Sequence, residues 1–161
     1  MATHETDYTT LAKQLRALSD GETDRLALCA NFVGLLYNEL GEINWLGIYV
    51  LRGDDLVLGP FQGKPACVRI PLGQGVCGTA AQQMRSIIVA DVHSFEGHIV
   101  CDPASKSELV VPLISGDRLI GVLDIDSPTP ARFRQADRLG VESLCGELVE
   151  RLSDEQVSGF I

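Results

Sequence analysis

The sequence predicts an α+β or mixed α/β fold with one central sheet. Three patterns point there. Apolar residues recur at three- and four-residue spacings through the first forty residues, which is the period of a helix. Two runs of β-forming residues, 108–114 and 118–126, are separated only by Ser115-Gly116-Asp117, a connection that turns a chain back on itself. A second helical period runs from Phe133 to Leu152. The order helix, helix, strands, short helix, strands, helix sets helices around a single sheet whose neighbouring strands run antiparallel.

Taken in order, Tyr8, Leu11, Leu15 and Leu18 define the apolar face of a first helix, and Leu26, Cys29, Phe32, Val33, Leu36 and Leu40 that of a second. Between them, Ser19 and Glu22 have the spacing of a capping box. The helical region thus covers 8–40, and a sheet with a long loop follows over 44–127. Residues 45–51 read as a strand, Gly53-Asp54 as a turn, 56–58 as a returning strand and 67–70 as a short one. Pro71-Leu72-Gly73-Gln74-Gly75 is a glycine-rich turn into a short helix over 76–83, and 86–89 is another strand. The stretch 91–107 is polar and without period, and a loop of that length in a compact domain is often functional. After Pro128 and Pro130, the helix over 133–152 presents Phe133, Ala136, Leu139, Leu144, Leu148 and Leu152.

The chain has 161 residues, the size of one domain, without linker, repeat or low-complexity segment. Its formal net charge of −9 argues against nucleic acid and anionic membrane as partners, since both require a positive face. No apolar run approaches the roughly 20 residues of a membrane span. The polar start MATHETDYTT has no signal-peptide core, so a cytoplasmic location is expected. There, a cysteine cluster more often means redox or metal chemistry than a structural disulfide framework.

Five cysteines are present: Cys29, Cys67, Cys77, Cys101 and Cys145. Cys29 and Cys145 lie on apolar helix faces and read as small buried hydrophobes. Cys101 sits in the polar loop, where pattern alone leaves a reactive and an inert thiol equally open. The same loop carries His93 and His98, so zinc binding or a Cys–His nucleophile pair can be entertained. No Cys-x-x-Cys or close His pair supports a metal, and none is expected. The glycines around Cys77 lack the lysine and serine or threonine of a phosphate-binding loop. Glu108 opens one strand, while Asp124 and Asp126 close its partner and share one face by the two-residue period. The hairpin brings all three to one edge. They are either solvated strand ends or an acid cluster, and mutual repulsion in a cluster would raise at least one pKa, as suits a proton donor or a cation site.

Five motifs follow one another in order: Phe61-Gln62-Gly63-Lys64-Pro65-Ala66-Cys67, Gly75-Val76-Cys77-Gly78, Gly97-His98-Ile99-Val100-Cys101-Asp102, Ser107-Glu108-Leu109-Val110-Val111-Pro112, and Gly121-Val122-Leu123-Asp124-Ile125-Asp126-Ser127. In this the chain resembles the free methionine-R-sulfoxide reductases, a family built on the GAF domain, from about Tyr8 to Leu152. The resemblance implies one GAF-like domain spanning 1–161, with a six-stranded antiparallel sheet flanked by helices. It implies reduction of free methionine-R-sulfoxide, with Cys101 as attacking thiol, Cys67 as resolving thiol and Cys77 as a third cysteine of variable part in recycling. Trp45, Glu108, Asp124 and Asp126 match its substrate-pocket residues. It further implies no bound cofactor, an external dithiol such as thioredoxin as reductant, and a homodimer joined through the N-terminal and C-terminal helices. Val100 and Glu96 depart from the pattern, where alanine and proline are expected. The alternative is a GAF module that senses a small molecule without chemistry.

Overall fold

The computed structural model describes residues 5–99 and 101–161, so Val100 lies outside the described residues. In chain order the elements are α1 (Tyr8–Ser19), α2 (Arg25–Glu39), β1 (Trp45–Arg52), β2 (Asp55–Gln62), β3 (Arg69–Pro71), α3 (Gly75–Gln83), β4 (Ile87–Val89), β5 (Ser107–Ser115), β6 (Arg118–Ser127) and α4 (Gln135–Leu152). The six strands form one sheet in the order β3-β2-β1-β6-β5-β4, and every neighbouring pair is antiparallel.

The two faces of the sheet have different roles. Leu46, Ile48 and Val50 of β1, Leu109, Val111 and Leu113 of β5, and Leu123 and Ile125 of β6 pack with α1, α2 and α4 into the main core. Successive strand residues point oppositely, so the alternate positions face α3. Trp45, Tyr49, Val110 and Val122 meet Val76, Cys77, Ala80 and Ala81 there in a second, smaller core. The β5–β6 hairpin closes with Ser115 opposite Arg118. Gly116 takes φ +60°, as the first central residue of a type II′ turn requires.

Several local expectations are corrected. Ser19 and Glu22 form no capping box. Ser19 ends α1 and its hydroxyl donates back to the Leu15 carbonyl, while Asp24 caps α2 by accepting from the Ala27 amide at 2.9 Å. An aspartate directly before the helix reaches the orphan amides of the first turn, which Ser19 is too distant to do. Strand β2 runs through Gly59-Pro60 to Gln62, beyond the expected stop at residue 58. The register with β1 shifts between Gly47 and Tyr49, and this irregularity absorbs the proline. Strand β3 begins at Arg69, leaving Cys67 in the segment before it. Among its described residues the long loop contains a single 3₁₀ turn, Val92–Ser94. Leu18, Leu26 and Leu139 are 46%, 49% and 55% exposed, although the sequence assigned them to buried helix faces. On α4 the buried stripe follows Val141, Leu144, Cys145, Leu148 and Leu152, and Leu139 falls outside it.

Gly121 marks the tightest approach between the central strands. A Cβ there would overlap the Tyr49 carbonyl oxygen, which belongs to the backbone and cannot rotate away. Gly121→Ala is therefore expected to destabilise the fold by about 1–3 kcal/mol through overpacking. Urea denaturation of both proteins measures this, and an unchanged midpoint would contradict it.

Candidate active site

The register of the three central strands assembles the floor of a pocket. Glu108 lies opposite Asp126 and Val110 opposite Asp124 across β5 and β6. Across β1 and β6, Trp45 lies opposite Asp126 and Gly47 opposite Asp124. Three carboxyls and an indole thus share one end of the inward face. Helix α3 contributes Cys77 from its first turn, the 91–107 loop contributes His98, Ile99, Cys101 and Asp102, and the segment after β2 contributes Lys64, Pro65 and Ala66. They enclose a cleft of about 580 Å³, counting its open mouth.

Two glycines seat the indole. A Cβ at Gly47 or at Gly63 would overlap the Trp45 ring, so only glycine leaves the space. The ring stacks with Phe61 and with Tyr49, at centroid distances of 5.5 and 5.9 Å. Its Nε1 donates to the Lys64 carbonyl at 3.0 Å, so the polar edge is already engaged and the rest of the ring is an apolar wall. Gly75 opens α3 with φ +63°, and its missing side chain lets Ile99 of the loop pack against that turn.

At the rim, Cys67 and Cys101 are joined in a disulfide spanning 34 residues, with Cα atoms 6.0 Å apart. Both flanking segments are tied to β1 or to the residue before it. The Tyr49 hydroxyl donates to the Cys67 carbonyl at 2.9 Å. Asn44 Nδ2 donates to Ser105 Oγ at 3.1 Å and reaches Asp102 Oδ2 at 3.4 Å. Cys101 is exposed and Cys67 half-buried, whereas Cys77 is buried beneath them. Cys77 Sγ lies 3.9 Å from Glu108 Oε1, and His98 Nε2 lies 3.8 Å from Glu108 Oε2.

The floor is electrostatically unusual. Glu108 and Asp124 are only 5% and 7% exposed. Burial, and then the charges of Asp124 and Asp126, push the Glu108 carboxyl well above the usual carboxylate range. Burial, followed by Asp124 and Asp102, does the same to Asp126. Asp124 is raised chiefly by burial, but hydrogen bonds from Glu108 and Cys77 and the charge of His98 oppose the rise. Asp124 is thus the member best placed to carry a negative charge, and its Oδ1 is buried without a hydrogen-bond partner. Burial pushes the Cys77 thiol up and the His98 imidazole down.

The structure brings together every site residue that the sequence singled out: Trp45, Cys67, Cys77, Cys101, Glu108, Asp124 and Asp126. Of the two readings of the acids, the buried cluster is the one observed. Cys29 and Cys145 lie in the helix-side core, away from the pocket. His93 and Glu96 are exposed. Sequence reasoning missed Tyr49 and Asn44 and considered His98 only as a zinc or hydrolase residue. Tyr49 shares the two-residue period of Trp45, a signal that was available. The Asn44 tether joins residues 58 and 61 positions apart and has no local signature.

An antiparallel six-stranded sheet with α3 and a long loop over one face is the architecture of a GAF domain, and residues 8–152 match that family's profile. The free methionine-R-sulfoxide reductase of Escherichia coli is 50% identical, over 95% of this chain and 93% of its own. The fRMsr of Staphylococcus aureus in its reduced form superposes with a TM-score of 0.91 at 48% identity, covering 95% of this chain and 100% of that one. The free methionine-R-sulfoxide reductase of Neisseria meningitidis, in complex with its substrate, has a TM-score of 0.86 at 42% identity, with 89% and 87% covered. The chain belongs to the GAF-domain family of free methionine-R-sulfoxide reductases.

The raised carboxyls fix a sign for stability. A group that binds its proton more tightly when folded gives stability that is full below its unfolded pKa and lost as pH rises through its folded one. The substrate-free protein should therefore lose stability as pH climbs above the ordinary carboxylate range. Glu108→Gln should be more heat-stable than the parent at pH 8 while the two converge at pH 4. Thermal melts at the two pH values test this, and a parent more stable than the variant at pH 8 contradicts it.

Proposed function

We propose that this chain reduces free L-methionine-R-sulfoxide to L-methionine through its own thiols, with an external dithiol of the thioredoxin type as electron donor. The observation that carries the reading is the Cys67–Cys101 disulfide at the rim of a cleft floored by Glu108, Asp124 and Asp126. A sulfoxide sulfur accepts a nucleophile only when its oxygen can take up a proton, so a thiol must work beside an acid. Glu108, whose carboxyl burial pushes well above the usual range, is that acid. Asp124 and Asp126 receive the substrate ammonium, and the unpartnered Asp124 Oδ1 supports this placement. Trp45 supplies the apolar wall against which the S-methyl group rests.

The Cys101 thiolate attacks the sulfoxide sulfur while Glu108 gives its proton to the oxygen. The oxygen passes to Cys101 as sulfenic acid, and methionine leaves with its sulfur reduced by two electrons. The Cys67 thiol then displaces the hydroxyl as water and forms the disulfide. Two thiols of the external donor restore both cysteines by exchange. No metal and no bound cofactor takes part, and Cys77 assists recycling without being the attacking group. The free amino acid is preferred because a peptide-bound residue lacks the ammonium. The dependence on a reducing dithiol suits the cytoplasm.

The dimer is a second part of the reading. Leu18 of α1, Leu26 of α2 and Leu139 of α4 are large apolar side chains left in water on the helical side, which supports a homodimer closed through those helices. Light scattering at micromolar concentration should give twice the chain mass, and a monomer mass would oppose it.

The cysteine roles are separable in a single turnover. Cys101→Ser should release no methionine. Cys67→Ser should release about one methionine per enzyme and stop as a sulfenic acid trappable by a dimedone-type reagent, without turnover on thioredoxin. Cys29→Ser and Cys145→Ser should keep parental kinetics. Methionine from Cys101→Ser combined with none from Cys67→Ser would reverse the assignment.

A further inference from the structure

Beneath the disulfide lies a set of donors that the proposed redox cycle leaves partly unused. Cys77 Sγ, a Glu108 oxygen and an Asp124 oxygen all lie within 4.8 Å of one another. His98 Nε2 stands 3.8 Å from Glu108 Oε2. One sulfur and two carboxylates thus converge from α3, β5 and β6, and an imidazole nitrogen from the loop borders them on the Glu108 side. Zinc bonds of 2.0–2.3 Å in a tetrahedron place neighbouring ligand atoms about 3.3–3.8 Å apart. The three grouped atoms lie within 4.8 Å of one another, so closing on an ion requires shifts of about 1.5 Å at most, within the reach of side-chain torsions, and His98 completes the set by turning in from the loop. Asp124, more than nine-tenths buried, aims an unpartnered Oδ1 into the pocket, and a buried carboxylate oxygen without a partner calls for a ligand.

We propose that Cys77, His98, Glu108 and Asp124 form a binding site for a thiophilic divalent cation of the zinc class, and that the ion and the substrate ammonium exclude each other. The donor set selects the metal. A thiolate and an imidazole disfavour magnesium and calcium, which take oxygen ligands, and suit zinc or cobalt. Three anionic donors around a dication also relieve the crowding of carboxyls on the floor. The ion is an inhibitor here and no part of the reaction, because it occupies the acid and the ammonium anchor. The mutual exclusion rests on the substrate reading given above; the metal site itself does not.

Cobalt(II) titrated into the oxidised protein gives a direct readout. With Cys67 and Cys101 in the disulfide, Cys77 is the only free thiol lining the pocket. One Co²⁺ per chain should bind with a thiolate-to-cobalt charge-transfer band in the near ultraviolet, displaced by Zn²⁺. The band should vanish in Cys77→Ser and persist in Cys29→Ser. His98→Gln and Asp124→Asn should each weaken binding more than about tenfold, since even outer-shell changes cost that much. These two variants keep the test open if Cys77→Ser fails to fold. No band in the parent, or a band that survives in folded Cys77→Ser, overturns the proposal. Free methionine sulfoxide should raise the apparent Kd for Co²⁺. If the Cys77 band forms and methionine sulfoxide leaves it unchanged, the metal site stands and the substrate reading of the pocket falls.

Discussion

The pocket depends on one constraint, the pairing register of β5 with β6. Glu108 faces Asp126 across the hairpin, and Asp124 sits two residues along on the same face. Because the side-chain period is two, a slip of a single residue in β6 would turn Asp124 and Asp126 into the helix-side core and bring Leu123 and Ile125 into the cleft, and the same slip in β5 would exchange Glu108 for Leu109. Both faces of these strands are covered, so such a slip would bury charge in the main core and strip carboxyls from the pocket floor. The apolar alternation that packs α1, α2 and α4 against the sheet therefore also aims the carboxyls, and stability and chemistry are specified by the same pattern.

That arrangement has a cost that only a ligand relieves. Three carboxyls close together and away from water resist ionisation, and one of their oxygens, Asp124 Oδ1, has no partner. A structure selected for stability alone would place apolar residues there. The neighbouring devices serve the same end. Gly47 and Gly63 give up side chains so that Trp45 can lie flat, and the Lys64 carbonyl takes its ring nitrogen out of play. Tyr49 and Asn44, from one short stretch of chain, fasten the segments that carry the two rim cysteines. These ties hold both rim segments to β1 and to the residue before it.

Much of this was legible in the sequence. Alternation located both long strands of the hairpin and put the two aspartates on one face, and helical period located α1, α2 and α4. The pairing of Cys67 with Cys101 was different in kind. Nothing in their spacing demands it, and only the family pattern implied it. The α2 cap was misplaced because Ser19 and Glu22 match the capping spacing as well as any true cap does, whereas Asp24 wins by sitting next to the helix. Gly59-Pro60 hid half of β2, since a local rule takes those residues as a stop while an irregular register takes them in. Exposure of Leu139 was invisible because periodicity assigns a stripe and not its width. Asn44 acts across long sequence separations, where no local rule reaches.

The rim disulfide joins the two segments that carry the mouth of the cleft, and in this form Glu108 and Asp124 are almost wholly out of water. On the proposed cycle this is the state left behind once methionine has departed. The clasp then acts as an escapement. A spent enzyme does not offer its thiols to a second oxidised molecule before a reductant has opened the bond, so oxidation and reduction alternate strictly and the resting attacking cysteine is shielded from climbing further up the oxidation ladder.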